Sequence, residues 1–252
     1  MNIVIVTDAW YPQINGVVHT IHHTCEELRK LGHSATVIGP DGFRSLPCPT
    51  YPEIRLALFP RRRLHARLDE LNPDAVHIAT EGPLGLAARA WCLDRGFPFT
   101  TAFHTQFPEY VKLRTGIPLA VSYRFVRWFH KPSSTVLVAT LTLKRRLEIW
   151  GFHNLGMWSR GVDTDLFRPR DKGSLNAPRP IFLYAGRVAV EKNIEAFLRL
   201  ELPGTQYVVG GGPDLKMLKK KYPRAHFAGI QPPDEMARYM AAADVFVFPS
   251  LT

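Results

Sequence analysis

Cysteine is scarce in this 252-residue chain: Cys25, Cys48 and Cys92 lie far apart and form no Cys-x-x-Cys pair. That sets aside a disulfide framework and a cysteine-based structural zinc site, and it fits a reducing compartment. Long apolar runs are missing too. No stretch approaches the ~18 residues that a membrane-spanning helix needs, and "MNIVIVTDAW" turns polar too soon for a secretory signal. The expectation is a cytoplasmic protein, at most resting on the inner face of a membrane. Several nucleotide and nucleophile signatures are also lacking. No Gly-x-Gly-x-x-Gly follows the first strand, no Gly-x-x-x-x-Gly-Lys-[Ser/Thr] occurs, and there is no Gly-x-Ser-x-Gly. Nicotinamide or flavin binding, P-loop chemistry and a hydrolase elbow therefore have no foothold.

Acidic residues are in deficit. The chain has 32 Lys and Arg against 22 Asp and Glu, for a net charge of +10 and a pI near 9.7. Residues 1–160 hold 19 basic and 12 acidic residues, and the remainder 13 and 10. Such an excess suits an anionic partner: nucleic acid, a phospholipid surface or a phosphorylated small molecule. The longest basic run, Arg61 to Arg63, leads into "LHARLDEL" and reads as the solvated start of a helix.

What is present is alternation. "NIVIVTD" is apolar on both faces, as a central parallel strand requires. A helix follows through "VVHTIHHTCEELRKL" to a stop at Gly32, and "HSATVIGP" is the second strand. The rhythm continues with "IRLALF", "DAVHIA", "FTTAFH" and "TVLVAT" as strands, and "LHARLDEL", "GPLGLAARAWCLDRG", "PLAVSYRFVRWFHK" and "TLKRRLEIW" as helices. It breaks at "FHNLGMWSRGVDTDLFRPRDKGSLNAPRP". It restarts with strands "IFLYAG", "TQYVVGG", "AHFAGI" and "DVFVFPS" separated by helices near "NIEAFLRL", "DLKMLKKKY" and "PDEMARYMAAA". The pattern predicts an α/β chain with an N-terminal domain over 1–160, a linker over 161–178 and a second domain over 179–252. The second domain ends on a strand with no covering helix, which reads as a truncation.

In doubly wound folds ligands sit beyond the carboxyl ends of the strands. "TDAWYPQINGVV" puts Asn15-Gly16 there, either as a plain turn into a helix or as bare amides for a phosphate. "YAGRVAVEKN" brings Arg187 and Lys192, either two ordinary surface cations or a fork and an ammonium for a diphosphate. "GGGPD", including Gly211, precedes a helix that Pro213 would open, and its glycines could admit a ligand close to the backbone. His104 in "FHTQFPEY" follows a strand, so it is either structural or poised for hydrogen bonding or proton transfer. Asp163-Thr164-Asp165 reads as a turn and not as a metal site, and His19, His22 and His23 as a solvated helix face without a nearby carboxylate. In "PLAVSYRFVRWFHK", Val121, Phe125, Trp128 and Phe129 form an apolar face with Arg124, Arg127 and Lys131 on another, read as core packing with a basic rim ahead of an interfacial role at a membrane.

Together, "TDAWYPQINGVVHT", "HIATEGPLG", "FHTQFPEY", "SRGVDTDLF", "YAGRVAVEKN", "VVGGGPD" and "AAADVFVFPS" resemble glycosyltransferase family 4, the retaining sugar-nucleotide transferases of the GT-B fold. The resemblance implies two Rossmann-like doubly wound domains facing a cleft, the second incomplete here. It implies that Gly16 lies near the donor diphosphate, that Arg187 and Lys192 neutralise it as it leaves, and that His104 lies by the transferred sugar. Gly229, Ile230 and Gln231 would fall where the nucleotide base is held. It further implies metal-independent transfer with front-face attack by the acceptor hydroxyl and no cofactor beyond the substrate nucleotide sugar. The wording is similar to bacterial enzymes that use GDP-mannose, favoured over a UDP-sugar, with lipid or glycan acceptors. The family's Glu-x7-Glu carboxylates would follow "FPS" and are absent from the sequence. The competing reading is a non-catalytic anion- or nucleic-acid-binding protein, for which no helix-turn-helix or aromatic platform is present. The third is a nucleotide-sugar binder without turnover.

Overall fold

The computed structural model describes every residue except 14, 49, 50, 105, 251 and 252. Two positions of the quoted motifs, Ile14 and Thr105, lie outside the described residues. The chain divides into two compact units, Met1–Arg160 and Gly161–Thr252.

The first unit is built on β1 (Asn2–Val6), whose alternate residues serve two cores. Val4 and Val6 pack with Ile38, Ile78 and Leu84 on one face, and Ile5 packs with Ile21, Cys25 and Ala35 on the other. A strand buried on both faces cannot sit at an edge. Accordingly β1 pairs in parallel with β2 (Ser34–Ile38) and β5 (Ala75–Ile78). β6 (Phe99–Ala102), β7 (Thr135–Val138) and β8 (Leu155–Met157) extend the sheet, in the order β2-β1-β5-β6-β7-β8. Its helices are α1 (Gly16–Lys30), α2 (Arg61–Leu71), α3 (Pro83–Asp94), α4 (Phe107–Thr115), α5 (Leu119–His130) and α6 (Leu141–Ile149). Asn15 caps α1, its Oδ1 accepting from the Val17 and Val18 amides at 3.0 and 3.1 Å. Gly32 ends it in a left-handed turn at φ 81°.

Three departures from the sequence pattern have local causes. The segment read as strand "IRLALF" is β4 (Tyr51–Ala57), which pairs antiparallel with β3 (Ser45–Cys48) outside the main sheet. It stops before Phe59, whose φ of 47° turns the chain. α4 and β8 arise in stretches read as irregular: α4 carries Pro108 in its first turn, where a missing amide costs nothing, and β8 is three residues long.

In the second unit β9 (Ile181–Ala185), β10 (Thr205–Val209), β11 (His226–Gly229) and β12 (Val245–Phe246) form a parallel sheet in the order β11-β10-β9-β12. The helices are α7 (Ile194–Leu198), α8 (Leu215–Lys221) and α9 (Pro233–Ala242). α7 is shorter than its apolar period suggests, because Asn193 holds a left-handed φ of 49° at its start. Pro213 lies outside α8, which begins two residues later. Val245, Phe246 and Phe248 remain exposed. The Asp244 carboxylate accepts from Arg179 Nη2 at 2.7 Å and the Ile181 amide at 2.8 Å, which holds it down to a pKa of about 2.

α5 overturns one expectation. Its inward face is Ser122, Tyr123, Val126, Phe129 and His130. Val121, Phe125 and Trp128 are instead 59%, 36% and 51% exposed. At about 100° per residue, Phe129 falls on the opposite side of the apolar group from the cations, and only it reaches the core. Arg89 pins the exposed Trp128, lying 4.1 Å from its ring centroid and donating to the Phe129 carbonyl at 2.9 Å. Phe129→Ala should therefore cost about 3–5 kcal/mol in urea unfolding, whereas Val121→Ala should stay within about 0.5 kcal/mol. Equal losses would contradict this facing.

Candidate active site

Because the main sheet of each unit is parallel, every strand in it ends at the same edge, and the sequence-predicted residues collect there in two groups, one on each unit. On the first unit the loop after β1 is locked by a carboxylate. Asp8 is buried, with Oδ1 accepting from the Leu84 amide at 2.9 Å and Oδ2 from the Thr80 hydroxyl at 2.8 Å and the Gly85 amide at 3.4 Å. It thus caps α3 from a distant loop, using donors that lack intrahelical partners. Burial raises its pKa, and these hydrogen bonds pull the other way. A Cβ on Gly82 would stand 2.4 Å from the Asp8 carboxyl carbon, and one on Gly85 1.9 Å from the Thr80 carbonyl oxygen. The glycines of "TEGPLG" are therefore fixed by Asp8 and Thr80. Sequence reasoning missed Asp8; its signal was an acidic residue directly after a strand with a Gly-Pro helix start elsewhere in the chain.

His104 follows β6. Its Nδ1 lies 3.1 Å from Arg160 Nη2, its ring meets Trp158 edge-on at 5.6 Å, and its Nε2 is buried with no hydrogen-bond partner among the described residues. His77 on β5 also meets Trp158 edge-on, at 5.7 Å. Its Nδ1 lies 2.9 Å from Thr100 Oγ1, and its Nε2 is likewise buried without a partner among the described residues. Gly16 joins this group through Arg160, whose Nη1 would lie 4.0 Å from a Cβ there. The α1 start is less open to a phosphate than its sequence suggests, because Asn15 already occupies two first-turn amides. Behind these loops His130 Nε2 pairs with Glu81 at 3.1 Å and its Nδ1 meets Thr101 Oγ1 at 2.8 Å.

On the second unit the loops after β9, β10 and β11 are joined backbone to backbone. The Gly186 amide donates to the Val209 carbonyl, Val188 to Gly211, and Gly210 to Gly229, at 2.7–2.9 Å. Gly210 and Gly212 have φ of 137° and 157°, and a Cβ would strike the Gly186 and Val188 carbonyl oxygens at 1.8 and 2.2 Å. These two glycines thus admit the backbone of the neighbouring loop, a demand that the sequence reading did not include. Gly211 sits against Ile230, 2.7 Å from where its Cβ would be. Gly229 is left-handed at φ 73° with open space beside it. Gln231 donates to the Ala228 carbonyl at 2.7 Å, closing its own turn. Tyr184 Oη fixes the Arg187 carbonyl at 2.7 Å. Lys192 ends a short 3-10 turn, with Nζ 3.5 Å from Ser250 Oγ and 5.9 Å from the Phe248 ring centroid.

The discounted features have plain geometry. Asp163 Oδ1 accepts from the Asp165 and Leu166 amides at 3.0 and 2.9 Å, closing a turn. The α1 histidines do have a carboxylate near them: Glu26 lies 3.4 Å from His22 and 3.0 Å from His23.

Residues 14–166 match the family model described as Glycosyltransferase Family 4, and the chain belongs to that family. It is 28% identical to a GDP-mannose-dependent alpha-mannosyltransferase of Mycobacterium tuberculosis, over 98% of this chain and 72% of the relative. It is 25% identical to an alpha-monoglucosyldiacylglycerol synthase of Acholeplasma laidlawii, over 100% of this chain and 75% of the relative. Its fold matches sucrose-phosphate synthase of Thermosynechococcus elongatus with a TM-score of 0.75 at 19% identity, over 99% of this chain and 76% of that one. The two Rossmann-like units are those of a GT-B glycosyltransferase.

Burial lowers both imidazoles from 6.5, His77 to about 4 and His104 to about 3, with Arg160 adding to the latter. Unfolded histidines take up protons near pH 6.5, so between that value and the folded pKa the unfolded state binds more protons. Stability from this source is complete above pH 6.5 and is lost as pH falls toward 4. The slope is at most about 1.4 kcal/mol per pH unit for each ring. Urea unfolding between pH 7 and 4.5 should show this slope flattening in His77→Gln and in His104→Gln. Unaltered slopes in both would contradict it.

Proposed function

We infer that this chain transfers a hexose, mannose in preference, from a nucleotide sugar to a lipid or glycan acceptor with retention and without a metal, GDP-mannose being the favoured donor. The observation that carries the reading is the pair Arg187 and Lys192 at the carboxyl edge of the second sheet, on a loop fixed by Tyr184 and by the glycine seams beside it. Breaking a sugar–phosphate bond builds negative charge on the departing diphosphate. Cations already in place stabilise that charge where it develops, with no rearrangement at the moment of reaction. A guanidinium offers two parallel donors to phosphate oxygens, and an ammonium a compact third contact. Gly229, Ile230 and Gln231 lie on the adjoining loop, with Gly211 against Ile230, and in this reading they hold the nucleotide base. The name of the mannosyltransferase relative supports the sugar, and that of the diacylglycerol synthase supports a lipid acceptor.

Peripheral membrane contact on the cytoplasmic side is the second part of the reading, and α5 supports it. No described helix is long and apolar enough to cross a membrane. The outer arc of α5 carries exposed Arg124, Arg127 and Lys131 beside exposed Trp128, Val121 and Phe125. Cations next to partly inserted aromatic tips match an anionic lipid surface.

Lys192→Ala should weaken GDP binding in calorimetry by about tenfold or more, the scale of a hydrogen bond to a charged group. It should leave the thermal transition in place. Unchanged affinity would remove Lys192 from the diphosphate site. In flotation with vesicles, Trp128→Ser combined with Arg124→Gln should abolish binding to phosphatidylglycerol-containing membranes. A wild-type chain that ignores anionic vesicles would sink the membrane reading.

A further inference from the structure

His104 has been left with two roles, hydrogen bonding or proton transfer, and the group beside it chooses between them. Arg160 is a donor only: a guanidinium has five N–H groups and no acceptor. At 3.1 Å from Arg160 Nη2, Nδ1 of His104 must present its lone pair. The ring is neutral near pH 7, since burial and the Arg160 charge both oppose protonation. A neutral imidazole with a bare Nδ1 carries its proton on Nε2. That Nε2–H is buried and has no acceptor among the described residues, and a buried donor without a partner is costly unless a ligand supplies one.

The other groups around the ring leave this assignment intact. Trp158 meets it edge-on and has no acceptor atom in its side chain. The charge of a protonated His77 would oppose protonation of His104 further, and the His77 Nδ1 is engaged with Thr100. Arg160 also borders Gly16 at the start of α1, so one guanidinium spans the loops after β1, β6 and β8.

We propose that Arg160 is a positioning residue that fixes His104 as the Nε2–H tautomer, which makes His104 a hydrogen-bond donor to an oxygen of the transferred sugar. It is then not the base that removes the acceptor proton. The sugar contact rests on the transferase reading; the tautomer does not.

The full chain labelled with 15N-histidine supplies the test. Long-range proton–nitrogen spectra at pH 7, with His104 assigned by its loss in His104→Gln, should show a protonated Nε2 and a bare Nδ1, unaltered down to pH 5. Arg160→Met should shift the tautomer ratio by about tenfold or more toward Nδ1–H, the factor a charged donor is worth. Arg160→Lys, which keeps a donor, should restore the wild-type pattern. A wild-type Nδ1–H, or an Arg160→Met spectrum identical to wild type in a chain that keeps its amide spectrum, overturns the proposal. GDP-mannose should then move the His104 Nε2–H signal while GDP alone does not. If both nucleotides bind and neither moves it, the sugar contact is wrong. If neither nucleotide binds, the transferase reading falls while the tautomer result stands.

Discussion

The geometry of parallel pairing governs this protein. Strands that run the same way end at the same edge, so the two sheets each deliver their loops to a single rim. His104, Arg160 and Gly16 meet on one rim through this alone, and Arg187, Gly211 and Ile230 on the other. The cost is that the strands must be covered on both faces, as the double duty of Val4 and Ile5 in β1 shows.

The two rims are stiffened by different means. In the first unit a buried carboxylate bridges loops, Asp8 holding the start of α3. In the second, main chain packs directly against main chain, and the seam leaves no room for a side chain at Gly210 or Gly212. A carboxylate lock titrates and can be removed by one isosteric change. A backbone seam has no titrating group and tolerates no Cβ, so Arg187 stands on the more unyielding platform. Both serve the same end, since electrostatic stabilisation works only when the charged groups need no reorganisation.

Much of the fold was legible because strand and helix differ in apolar period, and β1, α1 and β9 appear where that period changes. What escaped was short or relational. β8 has three residues, one a glycine, too few to show alternation. The facing of α5 was misread because Val121, Phe125 and Trp128 are apolar yet lie outside, and no single-helix pattern states which arc meets a sheet. The positions of Arg187, Lys192 and His104 at strand ends could be read locally. Their supports could not: Asp8 is 76 residues from Leu84, and Arg160 is 56 from His104. Only topology brings such pairs together. The close loop contact of the glycines in "GGGPD" escaped for the same reason, since their neighbour is another loop of the same sheet.

The Asp8 contact also changes how the start of α3 breathes. Amides in the first turn of a helix ordinarily exchange with solvent deuterium readily, having no intrahelical acceptor. The Leu84 and Gly85 protons are instead held by a side chain from the loop after β1. They can be released only when that loop parts from the helix, so their exchange reports the opening of β1 and α3 as one cooperative piece.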